Sequence, residues 1–374
     1  MVPRPSPDSP SSALAGLTPL LAAMAALIVY LRTLAPGLTE IDSGELATVA
    51  TTLGIAHPSG YPLFSFLGRV WVILTGDLAP IRALNLLSAL LCAGAVFLLH
   101  RTVRGLLPPS PAAEIGAWVG ALAFAFNGTL WSVATVTEVH ALQMCLDAAL
   151  LWAIVRAGIW GHGPWRESAL LLACYLAGLC LANHLTSALL LPGLLLGLLR
   201  QRRRLRPRLL ATGIACGVLG ASVYLFLPLR SAQQPLLDWG APREWAAFVR
   251  HVTGAQYRVW IFTSGEAFVR NLRVFLDLLP TGFTPLLLSL AVPGLLRARR
   301  VPGLLPGTVV MAVASVLYSL GYEIHDIETY FLPAFLFVAL WIGLGTALVV
   351  EWTDRLHGRS AKQAARIARG KLPL

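Results

Sequence analysis

The apolar positions of this chain gather into long uninterrupted runs, divided by short polar segments rich in arginine, proline and glycine. The runs lie near 13–35, 81–99, 113–132, 139–157, 168–182, 185–199, 209–228, 276–296, 303–321 and 331–350. A helix crossing a bilayer needs roughly 20 apolar residues, and a helix satisfies its own backbone hydrogen bonds in lipid one segment at a time. The pattern predicts an all-α integral membrane protein, a bundle of about ten transmembrane helices. The stretch 168–199 is long for one span and short for two. Asn183 and His184 interrupt it, so two short helices meeting at an Asn-His apex are expected. The division expected is a lead over 1–12, a membrane domain over 13–350 and a basic tail over 351–374. The run Ala13–Leu31 is long and has no A-x-A site after it, so it reads as a retained span rather than a signal peptide.

Composition agrees. The 374 residues are 56% hydrophobic and 13% charged, with mean hydropathy +0.70, whereas soluble domains are about 45–50% apolar and about 25% charged. The net charge of +11 does not signal nucleic acid, because the basic residues form short clusters between apolar runs. With the N-terminus inside, the inner segments hold Arg101 and Arg104, Arg156 and Arg166, the cluster Arg200 to Arg208, Arg297 to Arg300, and the tail. The outer segments hold fewer, as the positive-inside rule requires. Both termini then lie in the cytoplasm, in the plasma (inner) membrane. The five cysteines all lie inside apolar runs and read as small hydrophobes.

Three outer segments result, 36–80, 229–275 and 322–330. In TEIDSGELATVATTLGIAHPSGYP, Leu46, Val49 or Ala50, and Leu53 recur at helical spacing, with Gly54 placed to end a short interfacial helix. Asp42 and Glu45 are three apart and share a face, an arrangement that also caps helix N-termini. His57 follows in a Pro/Gly turn. Glu138 and His140 head the fourth run, where Thr135 and Glu138 also fit a cap. Asn183 and His184 form the apex, and a histidine there needs a polar partner or water. Arg230 ends the seventh run, placed for snorkelling or for chemistry. EIHDIETY brings together Glu323, His325, Asp326 and Glu328, although a solvated acidic loop has the same composition. Each signal is weak alone. Their common side of the membrane is the stronger observation.

The runs DSGELATVATTLGIAHPSGYPLF, RALNLLSAL, TEVHAL, ANHLTSALLLPG, YLFLPLRS, P-x-x-x-WG and D-x-E-x-YFLP resemble one group of GT-C glycosyltransferases, bacterial relatives of the eukaryotic plexin-type transmembrane protein O-mannosyltransferases. The resemblance runs from about residue 36 to about residue 335, and D-S-G-E…A-H-P-x-G-Y-P is its specific part. It implies a GT-C-like bundle with its active site on the outer face, a polyprenyl-phosphate sugar as donor and an acidic catalytic residue in the first outer loop. The eukaryotic members carry a large soluble domain after the membrane region, a feature this sequence does not share.

Transfer of a sugar from a lipid phosphate to a hydroxyl of a protein or glycan needs a base for the acceptor proton and a cation for the departing phosphate. Asp42 is the expected base and Glu45 its neighbour and substitute. Arg230, with His57 or His184, is the expected phosphate clamp. Glu138, His140, Asn183, Trp239, Asp326 and Glu328 complete the candidate substrate-binding set. Trp239, Tyr257 and Trp260 fit either sugar stacking or interfacial anchoring. The sequence singles out no cofactor, and a divalent cation is compatible with the acids and histidines. A transporter or lipid flippase is the first rival, but of the ionisable residues only Asp147 lies deep within a run. A metal-dependent hydrolase is the second, though no H-x-x-x-H pair exists to seed its site.

Overall fold

Proline opens many of the helices, where its missing N–H costs nothing and its fixed φ suits the first turn. The computed structural model describes residues 10–39 and 42–368, so most of the expected lead and the end of the tail lie outside the described residues. The helices are α1 (Pro10–Arg32), α2 (Ser43–Thr52), α3 (Pro62–Leu74), α4 (Pro80–Leu106), α5 (Pro111–Ala125), α6 (Gly128–Ala134), α7 (Val139–Arg156) and α8 (Glu167–Asn183). They continue with α9 (Leu191–Arg200), α10 (Pro207–Ala221), α11 (Phe226–Ser231), α12 (Trp245–Val252), α13 (Gly265–Ala298), α14 (Leu304–Leu320), α15 (Ile327–Tyr330) and α16 (Leu332–Ala368). Side-chain caps start several of them. Ser110 accepts from the Ala113 N–H, Asn127 from those of Thr129 and Leu130, and Ser264 from that of Ala267.

The bundle is all-helical, and small residues let its helices approach closely. On α5, Gly116 and Gly120 lie against the backbone of α16 at Gly343 and Ala339, so a Cβ at either glycine would overlap a carbonyl oxygen. This small-xxx-small face packs helices where lipid gives no hydrophobic drive for association.

Among the described residues, five helices are long and apolar enough to cross a membrane: Pro80–Leu106, Val139–Arg156, Pro207–Ser231, Gly265–Ala298 and Leu332–His357. A sixth forms if the pair Pro111–Ala125 and Gly128–Ala134, bent by 66°, counts as one span. The count of about ten is therefore not reached by length. The remaining runs form shorter apolar helices of 10–17 residues, among them Glu167–Asn183 and Leu185–Arg200. The expected break at 183–184 is present, with His184 extended between α8 and a 3₁₀ turn over Leu185–Leu190.

The segments expected outside hold more helix than the pattern suggests. α3 lies within 36–80, and α13 begins at Gly265, ten residues before the expected end of its loop. α13 bends at Thr284, which has φ 57° between Pro280 and Pro285. α2 ends one residue early: Leu53, not Gly54, takes the left-handed conformation with φ 52°. Gly54 is needed for a different reason. A Cβ there would meet Leu237 O at 3.0 Å, where the Ile55 N–H donates to the same carbonyl at 2.8 Å. Bridges Ile55–Asp238 and Ile261–Tyr322 tie the long outer segment to the other two.

Candidate active site

Where the segments 36–80, 229–275 and 322–330 meet, a cavity of about 1460 Å³ opens among the helix ends. The start of α2 and the turn after it form one wall, carrying Asp42, Glu45, His57 and Tyr61. His140 at the head of α7 and His184 at the apex form a second. Trp239, Tyr257, Arg258 and Trp260 come from the long outer segment, Arg270 and Asn271 from the first turns of α13, and Asp326 and Glu328 from the third segment.

α2 presents its acids to this space rather than to its own N-terminal N–H groups. Asp42 occupies the N-cap position but its side chain makes no capping hydrogen bond. Ser43 does the local work, accepting from the Thr39 N–H at 3.0 Å and donating to Thr39 O at 2.8 Å. The Asp42 carboxylate instead lies 3.7 Å from His57 Nε2. Glu45 Oε1 accepts from the His57 backbone N–H at 2.7 Å and faces His57 Nδ1 at 3.1 Å. Since a carboxylate only accepts, Nδ1 carries the proton. The Tyr61 hydroxyl meets Nε2 at 2.9 Å.

The turn that delivers His57 depends on glycine. Gly60 has φ 90°, and a Cβ there would meet His251 Nε2 and Leu227 at 2.9 Å. Gly60 thus serves both conformation and close approach.

Charge in the triad is divided unevenly. Burial raises the Asp42 pKa, with Asp326 and Glu45 adding to the rise and His57 opposing it. Burial also works to raise Glu45, but hydrogen bonds from the His57 ring and backbone outweigh it and hold its pKa below the usual value. For His57, burial favours the neutral ring, yet the Glu45 hydrogen bond and the charges of Asp42 and Glu45 prevail and its pKa is raised. The arrangement is an ionised Glu45, a readily protonated His57 and an Asp42 with increased proton affinity.

Behind this wall stands an aromatic and imidazole cluster. His184 stacks on Tyr61 with ring centroids 5.7 Å apart and 7° between planes, and its centroid is 4.8 Å from His140. Tyr330 packs edge-on against both histidines. At the rim, Arg270 pairs with Glu323 at 3.3 Å, and Glu323 also accepts from the Thr263 hydroxyl at 2.5 Å. The buried Asn271 donates to the carbonyls of Ser319, Leu320 and Tyr322, holding the third segment against α13.

Of the residues expected from sequence, Asp42, Glu45, His57, His140, His184, Trp239, Asp326 and Glu328 line the cavity. Glu138 and Asn183 lie beside it. Glu138 caps α7, accepting from the Val139 N–H at 2.7 Å, and burial, with Asp42 and Asp326 nearby, pushes its pKa up to about 8. Thr135 ends α6 instead of capping α7. Asn183 donates to Val139 O at 3.2 Å and locks the apex to α7.

Arg230 requires correction as a phosphate clamp. Its guanidinium donates to Leu53 O at 2.7 Å and to Thr52 O at 3.1 Å, and Gln233 takes a further bond at 2.7 Å. With Arg69, which donates to Thr51 O, it satisfies the carbonyls at the C-terminus of α2, where a cation is favoured. It faces a separate groove bordered by Phe66 and Phe226. The cations of the cavity are Arg258 and Arg270, which the pattern did not single out.

The ligating atoms of Asp42, Glu45 and His57 lie within 4.8 Å of one another, so these residues could reach a common divalent ion. Glu45 Oε1 already accepts from the His57 Nδ1–H and backbone N–H, so its second carboxylate oxygen is the one such an ion would take.

Residues 42–206 match the family described as protein O-mannosyl-transferase TMEM260 N-terminal domain. Protein O-mannosyl-transferase TMEM260 of Mus musculus is 30% identical over 261 residues, 68% of this chain and 36% of the mouse protein. The Dictyostelium discoideum protein of that name is 29% identical over 138 residues, 36% of this chain and 16% of the relative. The chain thus spans about a third or less of the length of these relatives. Among solved structures, ArnT from Cupriavidus metallidurans bound to undecaprenyl phosphate aligns with TM-score 0.62 and 19% identity, over 92% of this chain and 63% of that one. The archaeal oligosaccharyltransferase AglB from Archaeoglobus fulgidus, in complex with an inhibitory peptide and a dolichol-phosphate, aligns with TM-score 0.51 and 13% identity, over 93% of this chain and 52% of that one. Residues 42–206 therefore resemble a TMEM260 N-terminal domain, and the chain has the helical fold that ArnT and AglB share.

Proposed function

We propose that this protein is a membrane glycosyltransferase that moves a sugar, mannose by analogy with its relatives' names, from a polyprenyl-phosphate donor to a hydroxyl on the outer face of the membrane. The observation that carries the reading is Asp42: a carboxylate free of capping duty, with its proton affinity raised, on the wall of a cavity that also holds two arginines. The neighbour ArnT was crystallised with undecaprenyl phosphate, which supports a lipid-phosphate donor.

In this reading Asp42 accepts the proton of the acceptor hydroxyl as its oxygen bonds to the anomeric carbon. The bond from that carbon to the phosphate oxygen breaks, and the lipid phosphate leaves with the electron pair. One displacement inverts the anomeric centre. Arg258 and Arg270 meet the growing phosphate charge with paired N–H groups, and Trp239, Tyr257 and Trp260 offer faces for the sugar. Protonated His57, held by Glu45, keeps Asp42 ionised at rest. The arginine bias supports a cavity on the outer side and both termini in the cytoplasm. The shorter apolar helices would then complete about ten crossings as tilted or paired elements.

The test is a melting series of purified protein against a polyprenyl phosphate and the prenyl alcohol of equal chain length. A ligand that binds only the folded state raises the melting temperature by mass action. Greater stabilisation by the phosphate supports the reading. Equal stabilisation by both would reduce recognition to the tail and remove the donor assignment.

A further inference from the structure

His140 and His184 are adjacent on the cavity wall, and their hydrogen bonds assign them opposite protonation patterns. His184 Nδ1 accepts from the Thr186 backbone N–H at 3.4 Å, and the Thr186 hydroxyl lies 2.6 Å from it. A backbone N–H can only donate, so Nδ1 is the bare nitrogen and the proton of the neutral ring is on Nε2. The Thr186 hydroxyl in turn accepts from Gln143 Nε2 at 2.9 Å, which leaves its own proton for His184. Gln143 Oε1 faces His140 Nδ1 at 2.8 Å. A carbonyl oxygen can only accept, so His140 carries its proton on Nδ1 and its Nε2 is bare.

The whole pattern depends on which way the Gln143 amide points. Asp147, fully buried, decides it. It lies one turn from Gln143 on the same helix; its Oδ1 accepts from the Ser187 hydroxyl at 3.0 Å, and its Oδ2 takes no direct hydrogen bond. A buried carboxylate attracts the amide N–H₂ and repels the amide oxygen.

We propose that Asp147 acts as a positioning residue which, through Gln143, sets His140 as an acceptor and His184 as a donor, and that this pair forms a subsite for one hydroxyl of the donor sugar. A hydroxyl donates once and accepts through lone pairs, so one imidazole of each kind satisfies it, whereas two of the same kind leave a group unmet. The burial of His184, beside His140 and His57, lowers its pKa well below the usual value and keeps the ring neutral. The subsite rests on the glycosyltransferase reading; the tautomer assignment does not.

The experiment is ¹⁵N spectroscopy of histidine-labelled protein in lipid nanodiscs, with His140→Gln and His184→Gln variants to assign the signals. The expected result is Nδ1–H for His140 and Nε2–H for His184. In Asp147→Asn the amide orientation is no longer dictated, and His140 should shift toward Nε2–H while His184 stays as it was. The same tautomer on both rings in the unaltered protein, or an unchanged His140 in Asp147→Asn, would overturn the positioning role. Addition of a short-chain polyprenyl phosphomannose should move the Nε2 signals of both rings, and the same prenyl phosphate without sugar should not. Movement by both lipids alike, or by neither, would overturn the hydroxyl subsite, while the transfer assay judges the enzymatic reading separately.

Discussion

Glu45 holds His57 twice, through the backbone N–H at 2.7 Å and the ring Nδ1 at 3.1 Å, and both bonds end on one carboxylate oxygen. The two residues are twelve apart, joined by the end of α2 and the glycine turn. This double tie turns the far side of the imidazole toward Asp42 and leaves Asp42 the less constrained acid. Glu45 is therefore the supporting residue of the pair.

Glu45→Gln keeps an oxygen for the backbone N–H but loses the charge that favours protonated His57. A hydrogen bond involving a charged group contributes about 1.5–3 kcal/mol, so transfer should fall roughly 10- to 100-fold, with the protein still folded. Turnover close to that of the unaltered protein would remove Glu45 from the site's electrostatics.

The pH profile should carry the signature of Asp42. Its raised pKa means the base is protonated, and activity lost, as pH falls through a value higher than an aspartate's ordinary one. His57 lowers that pKa, so His57→Gln should move the acidic limb to higher pH. A limb that stays in place, or moves down, would contradict the coupling.

Arg230→Ala should act on stability rather than on substrate. The substitution frees the carbonyls of Thr52 and Leu53, and should cost about 1–3 kcal/mol of unfolding free energy with little change in KM for the donor lipid. Arg270→Ala and Arg258→Ala should raise that KM instead. A kinetic measurement on the three variants separates the two roles, and a large KM effect for Arg230→Ala alone would return it to the site.

How these assignments were reached shows what a sequence carries. Asp42, Glu45 and His57 were legible because their spacing is local: helical period places the acids on one face, and the Pro/Gly turn brings the histidine back. Arg230 was misread for an equally physical reason. A cation at the end of an apolar run looks the same whether it meets a lipid phosphate or the carbonyls of a helix C-terminus. Arg258, Arg270 and Tyr330 join the site only through packing between distant segments, which leaves no periodic trace. The span near 113–132 reads as smooth because its bend rests on Asn127, a single residue inside an otherwise apolar run.

Topology has a direct check. Cysteines introduced in 36–60, 229–265 and 322–330 should react from outside with a membrane-impermeant thiol reagent, and cysteines in 200–208 only after lysis. Labelling of 200–208 in intact cells would reverse the orientation.

The central claim is that Asp42 takes the acceptor's proton, and the most direct measurement compares sugar transfer from a polyprenyl-phosphate donor by the unaltered protein and by Asp42→Asn, each with and without a chelator. Loss of general-base assistance lowers rate by about 10²–10⁴, while a missing cap costs only about 0.5–2 kcal/mol of stability. We expect transfer to fall by that factor in Asp42→Asn with melting temperature nearly unchanged, and the unaltered protein to keep its rate in the chelator. Full turnover by Asp42→Asn, or loss of the unaltered protein's activity on chelation, would contradict the account.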